Sequence, residues 1–298
     1  MIDLIMSNQW YVLYLAIVMI ISGYVKDLGL LVPVYTLIKS SVKSNRMIVF
    51  LLSCVTGVLP IPGRVTVSAG VLNTIAPKDK AKREIYGIID YLSTHHYYLW
   101  SPLEKSVILP MAALGISYIA FLEYMLPLLL MTFIVIFYFI FFVLSENDVE
   151  IEMANNDSQK VIEKNPFNYL NFHSLIFLFF IIILSNYART HTEMLYEYVS
   201  YFSNSFALIS VVAFMSSLAL GSSSRFAAIT VLCTGIYGIE YLPWFFVIDY
   251  AGYMLSPAHK CFYIGKSYFN TKLVDYLIAI SILLLSLIIV SVIMSFVS

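Results

Sequence analysis

Two stretches of the chain, Phe121–Leu144 and Leu273–Val297, are apolar on nearly every helical face. A helix of that kind needs lipid or protein all round, whereas a soluble core helix carries one apolar stripe. Each stretch exceeds the roughly 20 residues that cross a bilayer. The remainder agrees, since 60% of the 298 residues are hydrophobic and only 12% charged. The expectation is an all-α, polytopic protein of the cell (inner) membrane, with the lipid bilayer as its partner and no nucleic acid. Met1–Gln9 carries Asp3 and no basic cluster, so a cleaved signal peptide is not expected. Cys54, Cys233 and Cys261 show no CxxC spacing and read as packing residues rather than as a disulfide framework or a zinc site.

The segment GVLPIPGRVTV (57–67) places two prolines, two glycines and an arginine inside membrane-grade sequence. Lys39, Lys43 and Arg46 precede it, and Lys78, Lys80, Lys82 and Arg83 follow. A single span would set these basic clusters on opposite sides, against the positive-inside tendency. A hairpin over 47–76, entering and leaving on the cytoplasmic side with its tip at Leu59–Gly63, reconciles them. Each arm of about 14 residues reaches roughly 20 Å, past the bilayer middle without crossing.

Alternation then orders the rest. The first repeat, 1–144, reads as a crossing (10–38, tilted or kinked around Lys26–Gly29), the hairpin (47–76), a helix broken at Ser101-Pro102 (85–120) and a crossing (121–144). Residues 145–166 hold six acidic residues and no apolar periodicity, and read as a cytoplasmic linker. The second repeat, 167–298, reads as a crossing (167–187), a hairpin (196–235) broken at Gly221–Arg225, a helix broken at Ser256-Pro257 (237–269) and a crossing (273–297). LPIPGRVTVSAGVL matches LGSSSRFAAITVL, and IDY…SPLEK matches IDY…SPAHK in the same order. Three crossings per repeat is an odd number, so the second copy enters inverted, with both chain termini outside.

In such an arrangement two helix N-termini converge at mid-depth, beginning near Arg64 and Arg225. Helix N-termini attract anions, and a guanidinium adds charge and a planar fork suited to carboxylate or phosphate. Arg64 and Arg225 are therefore candidates for substrate contact, with snorkelling to headgroups or pairing with an aspartate as the plain alternatives. Gly63, Ser68, Ser222, Ser223 and Ser224 join the candidate substrate site, although capping for the serines and backbone geometry for the glycine are the preferred plain readings. Ser101 and Ser256 precede prolines and are expected to leave carbonyls open to a cation. Asp90 and Asp249 are candidate carriers of a coupling proton or sodium ion, or else interfacial residues. His95, His96 and His259, with Asp90, Asp249 or Cys261, offer metal or nucleophile chemistry, but no HExxH or GxSxG pattern accompanies them, and polar lining is the preferred reading. No metal, catalytic residue or cofactor beyond the coupling ion is expected.

LLSCVTGVLPIPGRVTVSAG (51–70) and GYMLSPAHKCFYIGKSYF (252–269) resemble the two signature regions of an uncharacterised prokaryotic integral-membrane family. The residues that carry the likeness are Leu59, Pro60, Pro62, Gly63, Ser68 and Ala69, then Ser256, Pro257, His259 and Cys261. That family is similar to the wider ion-transporter superfamily of citrate, dicarboxylate, arsenite, gluconate and sodium–proton carriers. The resemblance implies paired hairpins, broken helices, elevator-like movement and a homodimeric assembly. Arg64 stands where the family pattern has a second glycine. The expected function is ion-coupled secondary transport of a small anion, not an enzyme activity, with translocation of a phosphate-headed polyprenyl lipid as the alternative.

Overall fold

The computed structural model describes residues 31–58, 64–73, 75–76, 80–145, 206–221 and 223–297, besides Leu13, Ala16, Ile17, Ile20 and Ile176. Every regular element among them is helical, as expected. The order is α1 (Leu31–Ser41), α2 (Asn45–Val58), α3 (Arg64–Asn73), α4 (Lys80–Ser93), α5 (Lys105–Leu114), α6 (Tyr118–Tyr138), α7 (Phe206–Leu220), α8 (Ser223–Tyr237), α9 (Leu242–Leu255), α10 (Lys260–Phe269) and α11 (Leu273–Val297). The hairpin tip at Leu59–Gly63, the kink at Lys26–Gly29, the crossing 167–187 apart from Ile176, and the linker beyond Ser145 lie outside the described residues.

The boundaries follow local chemistry. Helix α11 matches its expected span. The helix expected over 85–120 stops at Ser93, where Thr94 Oγ1 donates to Asp90 O at 2.6 Å and closes the end of α4. It resumes as α5 and ends at Gly115, whose left-handed φ of 68° a side chain would strain. The crossing expected to begin at 121 begins at 118, because Ser117 Oγ accepts the Ala120 N–H at 3.2 Å and caps α6. Its last turn winds into a π-helix over Phe139–Val143. Helix α8 runs two residues beyond its expected end, to Tyr237, and Gly238 at φ 116° turns the chain into α9.

Among the described residues, two helices are long and apolar enough to cross a membrane, Tyr118–Val143 with 26 residues and Leu273–Ser295 with 23. The longer spans about 39 Å at 1.5 Å per residue. Only 33% of an apolar 18-residue stretch within each is buried in the protein. Val274, Ile278, Ile282, Leu285, Ile289 and Ile293 form a continuous exposed stripe along α11, and Ile119, Leu126, Leu130, Ile134 and Phe142 form another along the helix that starts at α6.

Packing is reciprocal between the two parts of the chain. Helix α2 lies on α3 and α7 on α8, so both expected hairpins have touching arms. Helix α10 lies against α3, while α5 lies against α8. Each part thus lays the helix following its Ser-Pro break across the return arm of the other part's hairpin. Helices α6 and α11 pack together, α11 reaching α4 and α6 reaching α9. Tyr86, Tyr91, Phe121, Phe246, Tyr250 and Tyr276 fill the centre. Helices α7 and α9 come so close that a Cβ on Gly252 would stand 2.3 Å from Phe214 O.

Candidate functional site

The polar residues gather where hairpins meet broken helices. Asp90 on α4 and Asp249 on α9 are both fully buried. Ser68, on the return arm α3, donates to Asp90 Oδ1. Ser217 on α7 donates to Asp249 Oδ1 at 3.1 Å, and Thr230 on α8 donates to Asp249 Oδ2 at 2.7 Å. Each hairpin therefore hands hydroxyl groups to the carboxyl of the following helix. Among the described residues, Asp90 Oδ2 has no hydrogen-bond partner. A buried carboxyl oxygen without a partner is costly, so this atom is the least satisfied of the two aspartates' oxygens among the described residues.

The hairpins also touch the breaks. A Cβ on Gly57 of α2 would stand 2.5 Å from Ser93 O, at the end of α4. A Cβ on Gly221, where φ is +54°, would stand 2.7 Å from Ser256 Oγ and from Ala258 Cβ. Ser256 Oγ donates to Leu218 O at 2.6 Å, which pins the end of α7 to the second break.

The two breaks share one turn. Ser101 O accepts the Glu104 N–H at 3.0 Å, and Ser256 O accepts the His259 N–H at 3.0 Å. Proline at the second position of such a turn has its φ already set. The Ser101 and Ser256 carbonyls, expected to stand open for a cation, thus each accept one hydrogen bond in closing their turns. Helices α5 and α10 then restart at Lys105 and Lys260.

The arginine candidates are placed by backbone alone. Arg64 opens α3 and Arg225 lies in the first turn of α8, each at the start of a return arm. Ser223 and Ser224 begin α8, while Gly63 and Ser222 lie outside the described residues. Ser68 is the candidate that joins an aspartate. Sequence reasoning missed Ser217 and Thr230. Hydroxyls recur along both helices, at Ser210, Ser216 and Ser217 on α7 and at Ser223, Ser224, Thr230 and Thr234 on α8, so no local signal singles out this pair.

A second cluster lies where the breaks approach each other. His95, His96 and His259 are buried, and Cys261 is half-buried. His96 is occupied structurally: its Nδ1 accepts the Trp100 indole N–H at 2.9 Å, so its Nε2–H points to Cys54 O at 3.4 Å. His95 has the opposite tautomer. Its Nδ1 lies 2.5 Å from Tyr91 O, and 3.1 Å from a Thr94 hydroxyl whose proton goes to Asp90 O, so Nδ1 carries the hydrogen. Its Nε2 meets His259 Nε2 at 3.1 Å. Tyr91 donates its own hydroxyl to Met254 O at 2.9 Å and stacks on His95, with ring centroids 4.5 Å apart. Tyr253 stacks on His259 at 4.3 Å. His95, His259 and Cys261 form a group in which one ring nitrogen of each histidine and the Cys261 Sγ all lie within 4.8 Å of one another.

No family model, curated protein or solved structure matches this chain.

Proposed function

We propose that the protein is a polytopic membrane carrier built from two inverted repeats, which moves a small anionic substrate coupled to a proton or a sodium ion. The observation that carries this reading is the doubled arrangement of hairpin, buried aspartate and Ser-Pro turn, with each post-turn helix lying on the opposite hairpin's return arm. Irregular backbone within a bilayer is tolerated where it is enclosed by protein or lines a cavity, and carriers use such broken helices to hold substrate and ion. The exposed apolar stripes of α6 and α11 supply the lipid-facing surface. In this reading the return arms α3 and α8, with Arg64 and Arg225 in their first turns, present N–H groups and positive charge to a carboxylate or phosphate. Asp90, with one oxygen open, holds the coupling ion. One structural group slides past the other to alternate access.

Reconstituted into liposomes, the protein is expected to accumulate a radiolabelled carboxylate or phosphate when a sodium or proton gradient is imposed, and to lose that uptake in Arg64→Ala and in Arg225→Ala at unchanged folded yield. Uptake independent of both gradients, or leaflet transfer of a labelled polyprenyl phosphate without solute uptake, overturns the reading.

A further inference from the structure

We infer that His95, His259 and Cys261 form a binding site for a zinc-class metal ion, which joins the break after α4 to the start of α10. The argument begins at the helix ends. The last carbonyls of a helix lack intrahelical donors, and at the ends of α4 and α9 side chains meet that need. His95 Nδ1–H serves Tyr91 O of α4. Met254 O of α9 takes the Tyr91 hydroxyl proton. That leaves the Tyr91 oxygen to face His259 Nδ1 at 3.1 Å as an acceptor, beside Tyr253 O at 3.2 Å. Both Nδ1 atoms therefore carry hydrogen.

The consequence falls on the other side of each ring. With Nδ1 protonated, a neutral imidazole has its lone pair on Nε2. The two Nε2 atoms face each other at 3.1 Å, a contact that either a proton on one of them or a cation bound between them satisfies. A tetrahedral zinc ion, with bonds of about 2.0–2.1 Å to nitrogen, sets its nitrogen ligands roughly 3.3 Å apart. The nitrogens already stand near ligand spacing. A histidine whose second ring nitrogen donates to a backbone carbonyl is also the usual support of a metal ligand, since it fixes tautomer and ring plane.

Cys261 completes the set. It sits in the first turn of α10, two residues beyond His259, where backbone N–H groups favour negative charge. Two imidazoles and a thiolate suit zinc or another borderline-soft ion rather than magnesium or calcium, and three protein ligands leave a fourth position for water or an anion. Because His95 follows α4 and the other two ligands open α10, the ion ties together the two parts of the chain that the Ser-Pro breaks loosen. The site stands independently of transport, since it requires binding alone.

Tag-free protein in detergent, stripped with chelator and equilibrated with zinc or cobalt, is expected to retain about one ion per chain. The cobalt form is expected to show tetrahedral ligand-field bands and a thiolate-to-metal charge-transfer band. Cys261→Ser should remove the charge-transfer band, and His259→Ala should weaken binding at least tenfold, while Cys54→Ser changes neither. X-ray absorption of the zinc-loaded wild type reads the site without any variant, and should give two nitrogen neighbours at about 2.0 Å and one sulfur at about 2.3 Å. A first shell without sulfur, failure of the wild type to retain ion, or unchanged binding in both ligand variants overturns the site. A protein that holds zinc but moves no solute keeps this inference and loses the carrier reading.

Discussion

The two buried aspartates occupy matching places and are satisfied unequally. Asp249 has a hydroxyl donor on each carboxyl oxygen, one from each arm of its hairpin. Asp90 has Ser68 on one oxygen, and none among the described residues on the other. The second hairpin is further tied down by Ser256 Oγ on Leu218 O. In the proposed carrier, a carboxyl with a hydroxyl on each oxygen would serve as a structural clamp, whereas one with an open oxygen could take up and release an ion. The likeness between the halves lies in the framework, and the two carboxyls differ in how that framework completes them.

The largest expected consequence is functional. Asp90→Asn keeps size and hydrogen-bonding capacity but removes the charge that the proposed carrier uses to hold its coupling ion, so coupled uptake should fall at least 100-fold, or about 2.7 kcal/mol at 1.36 kcal/mol per decade. Asp249→Asn should leave uptake within a few-fold of wild type while lowering thermal stability. Equal loss of uptake in the two variants, measured in liposomes at matched protein content, would erase the distinction between clamp and ion site.

A second test turns one site into the other. Thr230→Val preserves shape and removes the donor to Asp249 Oδ2, leaving a buried acceptor unmet at a cost of about 1–3 kcal/mol. Thermal unfolding in detergent should show the loss. Ser68→Ala, made at the site that is already incomplete, should cost less than Thr230→Val. A reversed order would mean that Asp90, not Asp249, is the clamp.

Third, the unequal anchoring should appear in local opening. Native-state hydrogen exchange read over α2–α3 and α7–α8 is expected to show the first hairpin opening at least fivefold more readily, about 1 kcal/mol, since one hydroxyl ties it to Asp90 where two tie the second to Asp249. Equal protection would imply that apolar packing rather than hydroxyl pairing sets hairpin stability.

How much of this could be read from sequence depends on the range of the interaction. Helix α11 was legible residue for residue because its apolar run has clear ends. Breaks at Ser101-Pro102 and Ser256-Pro257 were legible because proline acts locally, but the fate of the serine carbonyls was not, since it depends on the N–H three residues later being turned toward them. The end of α4 at Ser93 came from Thr94 capping, which no apolar pattern announces. The aspartates could be singled out by charge in an apolar setting. Their partners Ser217 and Thr230 could not, because the pairing spans 32 and 19 residues and needs the α7–α9 approach at Gly252. The histidine pair lies 164 residues apart in the chain, and its shared tautomer emerges only once the helix-end carbonyls are in place.

The smallest expected effect separates stiffness from function within the second hairpin. A Cβ on Gly235, in α8, would meet no heavy atom within 4 Å, and the residue lies in helix without positive φ. Gly235→Ala should therefore stabilise by about 0.4–1 kcal/mol, chiefly by restricting the unfolded chain. Three residues later, Gly238 has φ +116° and a Cβ there would stand 2.5 Å from the Glu240 carboxylate, so alanine at that position should destabilise instead. The informative reading is uptake by the Gly235→Ala protein. If the second hairpin is a fixed wall, as the saturated Asp249 implies, a stiffer α8 leaves transport unchanged while the melting point rises. If uptake slows as stability rises, α8 bends during the cycle, and the clamp at Asp249 must open with it.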